Sequence, residues 1–129
     1  MIIDTSAVAA ILFDEPDAAA LEGKVVDDPV RLMSAATLLE ATIVVEARLG
    51  DAGGREFDLW LHRAQVEIVG VDAGQADLAR RAWRRFGRGR HPAGLNYGDC
   101  FSYALAAARD EPLLFKGDDF TKTDVKSCS

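Results

Sequence analysis

Nearly all the chemistry this chain offers lies in four acidic positions: Asp4 in MIIDTSA, Glu40 in SAATLLEA, Asp99 in NYGDC, and the adjacent pair Asp118 and Asp119 in LLFKGDDF. Each ends a strand-like run or opens a helix-like one. Carboxylates gathered without His or Cys are hard oxygen ligands, suited to Mg²⁺ or Mn²⁺ and not to zinc. Such an ion lowers the pKa of a water and stabilises charge on phosphoryl oxygens, so these residue types point to phosphodiester chemistry. Several carboxylates in one place also raise each other's pKa, and a divalent cation relieves that repulsion. One ion, or two about 4 Å apart, would fit this donor set.

The acids form a site only if the fold brings them together. Met1 to Ile3 is a short buried-strand signal, and Ser6 to Val26 is helical, with a break at Pro16. Arg31 to Met33 is a second strand. Ser34 caps a helix expected to stop near Gly50, and Phe57 to Arg63 is part of another. Val66 to Val71 is a strand, Asp72 caps a helix through Phe86, and Gly87 to Gly94 is a basic loop. Asn96 caps a helix to about Arg109, Pro112 follows its end, and Leu113 to Phe115 is the last strand. Strands separated by helices require βαβ crossovers, which gives an α/β fold with a mostly parallel central sheet and helices on both faces. In such sheets ligands bind outside the carboxyl ends of the strands. Asp4 and Asp118/Asp119 follow strands directly there, while Glu40 and Asp99 sit in the first turns of helices that begin near that edge.

Each acid also has a purely structural reading. Asp4 would cap the first helix, as Thr5 or Ser6 also could. Glu40 stands three residues after Thr37, the spacing of a capping box. Against that, Ala36, Ile43, Val44 and Ala47 surround it on one helical face, and a carboxylate buried there needs a partner. Asp99 is favoured by the helix dipole alone, by about 0.3–1 kcal/mol, and Gly-Asp-Asp is a turn sequence.

With 129 residues, 49% hydrophobic and 28% charged, the chain is expected to form a single domain over 1–129 with a full core. No apolar run approaches the roughly 18 residues of a membrane span and no basic-then-apolar leader opens it, so the expectation is cytoplasmic. Cys100 and Cys128 suggest reduced thiols, neither catalytic. The net charge of −6 disfavours a nucleic-acid partner on its own, but six of the eleven arginines fall between positions 80 and 90. That segment is either a solvated helix face or a local phosphate-binding patch. Arg84, Arg85, Arg88 and Arg90 are the candidate contacts to a nucleic-acid backbone, through salt-sensitive phosphate interactions. His62 and His91 are too few and too separated for a metal site, and His91 is at most an auxiliary RNA contact. Trp60 and Trp83 read as packing or interface residues.

The same acidic motifs carry a family resemblance. MIIDTSA, the Glu of SAATLLEA, the Asp of NYGDC and LLFKGDDFTKTD, in that order in one small α/β chain, resemble the PIN-domain ribonucleases and, among them, the VapC toxins of toxin–antitoxin pairs; the resemblance spans Met1 to about Asp124. It implies a PIN-like three-layer fold and an Mg²⁺-dependent (or Mn²⁺-dependent) endoribonuclease, held in check by a cognate VapB-type antitoxin and usually homodimeric. By carry-over, Asp4 and Asp99 match the family's metal ligands and Glu40 its third acid. Either Asp118 or Asp119 fits the fourth position, and Asp118, nearer the strand end, is preferred. Thr5 and Ser6 would orient a carboxylate or a water, and Glu40 would position the attacking water or a second ion. Antitoxins of this family usually wrap apolar grooves near the N-terminus, for which Ile11, Leu12, Phe13, Leu21, Ile43 and Val44 provide material, although core packing explains most of them.

Three other readings fit less well. A haloacid-dehalogenase-like phosphatase needs a second Asp two residues after the first, where Ser6 stands. A receiver domain needs an acceptor Asp and Lys in another order. A catalytically inactive PIN-like nucleic-acid-binding or interaction module would have no use for acids at every motif.

Overall fold

Four short apolar runs, each followed by a helix or turn, become four parallel strands. The computed structural model describes residues 1–128, so Ser129, the last residue of the expected domain, lies outside the described residues. Strands β1 (Ile2–Ile3), β2 (Leu32–Ser34), β3 (Glu67–Val69) and β4 (Leu113–Leu114) form one sheet in the order β3-β2-β1-β4. Ile2 pairs with Leu32 on one side and Leu113 on the other, and every strand pairing is parallel. The strands are shorter than the sequence suggests. β3 keeps only three residues of the expected Val66 to Val71, because it is an edge strand with Ile68 38% exposed.

Successive residues of a strand face opposite sides of a sheet, and here that alternation divides the core in two. Ile2, Leu32 and Leu113 pack against α4 (Ala73–Phe86) and α5 (Tyr97–Arg109), through Ala79, Ala82, Phe86, Ala104 and Leu105. Ile3, Met33 and Leu114 face the other way, onto α1 (Thr5–Leu12), α2 (Ala18–Asp27) and α3 (Ala35–Arg63), through Val8, Leu21, Val45 and Phe57. Helices therefore cover both faces, giving the three-layer α/β arrangement.

The helix between Ser6 and Val26 breaks as Pro16 requires, with Asp14 in the left-handed region at φ 51°. The expected stop at Gly50 is a kink instead. Gly50 takes φ 67° and ψ −162°, a conformation glycine adopts without a Cβ penalty, and the chain resumes its helix at once. Ser34 and Asp72 cap α3 and α4 as expected, accepting from the Ala36 and Gln75 amides. No helix among the described residues is long and apolar enough to cross a membrane.

Candidate active site

β1 runs straight into Asp4, which is 3% exposed at the carboxyl edge of the sheet. Asp4 itself caps α1, not Thr5 or Ser6: its Oδ2 accepts from the Ser6 amide at 3.0 Å and from Ser6 Oγ at 2.6 Å. Its Oδ1 accepts from Ser102 Oγ at 2.6 Å. Ser6 Oγ also accepts from the Lys116 amide at 3.0 Å, so the exit of β4 is tied to the same carboxylate. Thr37 Oγ1 lies 3.3 Å from Ser102 Oγ; with the Ser102 proton committed to Asp4, Thr37 is the donor. Strands β1 and β4 and helices α1, α3 and α5 thus converge on one carboxylate. Ser102 does not stand out in the sequence. Its one signal is its place three residues after Asp99, on the same face of α5. Deleting a donor to a buried acceptor costs about 1–3 kcal/mol, and more where the acceptor is charged.

The capping box that the sequence suggests at Thr37 and Glu40 forms at Asn96 and Asp99 instead. Asn96 Oδ1 accepts from the Asp99 amide at 2.9 Å, and Asp99 Oδ2 accepts from the Asn96 amide at 3.0 Å. Asp99 is 9% exposed. Burial above all, with the nearby Asp4 and Asp119 charges, pushes its carboxyl up to about 7 against the pull of the Asn96 amide. Asp118, the residue preferred from the sequence, precedes the 3₁₀ turn Asp119–Lys122, and its side chain makes no cap hydrogen bond. Of the two, Asp119 is the one whose charge bears on Asp99.

Glu40 is half-buried, and its Oε1 accepts from Thr5 Oγ1. Of the apolar neighbours expected to bury it, Ile43 is 60% exposed and Ala47 is exposed, while Ala36 and Val44 are half-buried; the fully covered face of α3 carries Thr37, Ala41 and Val45. Glu40 therefore stands at the rim of the recess, joined to it through the residue that follows Asp4.

The arginines divide. Arg85 pairs with Asp124 at 3.1 Å and lies over the Phe86 ring, and Arg90 lies 4.1 Å over the Trp83 ring. Among the described residues Arg84 and Arg88 have no ion-pair partner, and both are exposed. The loop bearing Arg88 and Arg90 closes through a Gly87–Leu95 bridge and leads directly into the Asn96 cap. His91 is used inside this loop, accepting from the Ala93 amide and packing edge-on against Phe86. Trp60 bonds to Glu22 and stacks on Phe57, a packing role. Cys100 and Cys128 are free thiols, and burial pushes Cys100 up to about 11, which removes it as a nucleophile at neutral pH.

This donor set fits a hard divalent cation. Burial, and after it the Asp4 and Asp119 charges, raise the Asp99 carboxyl, and a bound cation would offset that charge repulsion. Among the described residues no three acidic, His or Cys side chains stand at ligand spacing, so the recess is an unclosed set of acids and not a finished cage.

The PIN domain family model matches residues 1–126. This chain belongs to the PIN-domain family, among the VapC ribonucleases. Ribonuclease VapC of Mycolicibacterium smegmatis is 68% identical over 125 residues, 97% of both chains. Ribonuclease VapC30 of Mycobacterium tuberculosis is 62% identical, over 97% of this chain and 95% of its own. The VapC fold is seen directly in the crystal structure of Mycobacterium tuberculosis VapC20, described as a sarcin-ricin-loop-cleaving toxin, which superposes with a TM-score of 0.75 at 20% identity, covering 96% of this chain and 95% of that one. A toxin–antitoxin complex from Klebsiella pneumoniae gives a TM-score of 0.72 at 16% identity, covering 95% and 92%. PIN-domain ribonucleases generally depend on a divalent metal, and VapC toxins pair with antitoxins.

The raised Asp99 carboxyl sets a pH dependence for the ion-free VapC fold. An acid whose folded pKa lies above its unfolded value of 3.8 binds its proton more tightly when folded. Its contribution is therefore complete below about pH 4 and is lost as pH rises through about 7. Urea denaturation without divalent ions should show this loss, and Asp99→Asn should remove that part of the slope; an identical slope in the variant would contradict the assignment.

Proposed function

We propose that this chain cuts RNA phosphodiester bonds at the recess formed by Asp4, Glu40, Asp99 and Asp119, using Mg²⁺ or Mn²⁺. The observation that carries the reading is a pair of buried acids at the carboxyl edge of the sheet, Asp4 held by Ser6 and Ser102 and Asp99 held by Asn96, with burial and neighbouring charges raising the Asp99 carboxyl. Asp4 and Asp99 would hold the ion, with Asp119 as the fourth acid in place of Asp118. When bound, the ion supplies Lewis acidity, lowering the pKa of a water and neutralising charge on the phosphoryl oxygens. Ser6 and Ser102 fix the orientation of Asp4, and the Asn96 amide fixes that of Asp99, so both carboxylates are positioned before substrate arrives. Glu40, oriented by Thr5, positions the attacking water. Arg88, in the loop that leads into the Asn96 cap, holds RNA backbone, with Arg84, Arg85 and Arg90 in support.

The proposed setting is a single-domain, cytoplasmic toxin paired with a VapB-type antitoxin. A groove of about 530 Å³, lined by Ile11, Leu12, Val25, Val26, Leu59 and Trp60, supports antitoxin docking near the N-terminal helices; Val26 is 70% exposed there. Leu21, by contrast, is buried in the core. A second groove of about 500 Å³ between α4 and α5, lined by Ala79, Trp83, Tyr97, Cys100 and Phe101, supports a homodimer.

Purified protein should convert total cellular RNA to discrete fragments with Mg²⁺ or Mn²⁺ and not with EDTA. Asp4→Asn and Asp99→Asn should lower the rate by about 100-fold or more while both variants stay folded by circular dichroism. Wild-type rates in either variant would refute its assignment, and failure of wild type with metal would favour a binding module. Replacing Arg88 and Arg90 with Gln should shallow the salt dependence of RNA binding, by up to about one unit of slope for each phosphate no longer neutralised; an unchanged slope would leave them as surface charges.

A further inference from the structure

The first turn of α5 contains a glycine that its backbone does not require. Gly98 is buried, lies inside a regular helix and has no left-handed φ. Alanine in a helix is more stable than glycine, since glycine loses more conformational freedom on folding. The reason for glycine here lies across the recess. A Cβ at position 98 would sit 1.8 Å from Glu40 Oε2, 2.5 Å from Cδ and 2.7 Å from Oε1, and those are its three nearest atoms. What occupies the space of the missing methyl is therefore the Glu40 carboxylate itself.

We infer that Gly98 is a positioning residue for RNA cleavage, seating the Glu40 carboxylate against the N-terminal turn of the helix that carries Asp99. The inference rests on the catalytic reading of the recess. Thr5 Oγ1 holds Glu40 Oε1 from one side, and the flat surface at Gly98 receives the carboxylate from the other. Glu40, on α3, is thereby set against the first turn of α5, one residue before Asp99 in the chain. A methyl group at position 98 would displace the carboxylate, the far end of a flexible side chain, and would leave the backbone and core where they are. Gly98→Ala is thus a substitution that moves one functional group without removing it.

The test is steady-state cleavage of a defined RNA, with the thermal midpoint measured beside it. Gly98→Ala should lower kcat on the order of 100-fold, the loss that a displacement of about 1 Å can produce. KM should change less than about two-fold, since the arginines that hold RNA backbone are untouched. The thermal midpoint should be unchanged or higher, because alanine favours the helix. A merely structural glycine would instead lower the midpoint and kcat together, and that result would overturn the inference, as would a wild-type kcat in Gly98→Ala. Wild-type protein assayed alongside separates the two levels of the argument: no cleavage by wild type strikes the ribonuclease reading, while cleavage by wild type and variant alike strikes only the role of Gly98.

Discussion

Carboxylates placed side by side repel one another, and this molecule is arranged around keeping several of them together. Asp4 is nearly fully buried, with its two oxygens held by Ser6 and Ser102, and Ser102 is in turn supported by Thr37. Asp99 is locked into a reciprocal cap with Asn96 yet is held near neutrality by burial and by the acids beside it. Fixed hydroxyls and amides satisfy each acid's geometry without neutralising its charge. The remaining repulsion is the opening for a cation, and it explains why the site is assembled from hydroxyl donors and not from lysine or arginine.

The parallel sheet makes that gathering possible. With the order β3-β2-β1-β4, the two central strands end beside one another at the carboxyl edge, where β1 delivers Asp4 and β2 delivers the cap of α3. The adjoining β4 exits toward Asp119, and its Lys116 amide reaches Ser6. Residues nearly a hundred positions apart, Asp4 and Ser102, become hydrogen-bonded neighbours through this topology. The two core clusters on opposite faces of the sheet hold the edge rigid, so the orientation of the acids is set by packing well away from them.

Much of this is legible in the sequence because the informative residues sit at element boundaries. Asp4 follows a three-residue apolar run, and Asn96 and Asp99 open a helix, so the order of residues alone places both acids at the carboxyl edge of the sheet. Glu40 reaches the recess by a different route from the one its apolar neighbours suggest: Ile43 and Ala47 are exposed, Ala36 and Val44 only half-buried, and its partner is Thr5. The choice between Asp118 and Asp119 turns on a single 3₁₀ turn, whose phase no periodicity reveals. Gly50 reads as a stop because glycine ends helices more often than it kinks them. Ser102 and Gly98 escape notice because a small residue on a helix carries no signal until the side chain it meets is known.

The most direct test of the central claim is the titration of the Asp99 carboxyl, followed by ¹³C NMR with and without Mg²⁺. Without the ion it should titrate near 7, and saturating Mg²⁺ should move the midpoint down toward or below the ordinary carboxylate range. A midpoint close to the usual aspartate value of about 3.9 in the ion-free protein, unmoved by Mg²⁺, would contradict the account, because the acids would then be neither crowded nor in need of a cation.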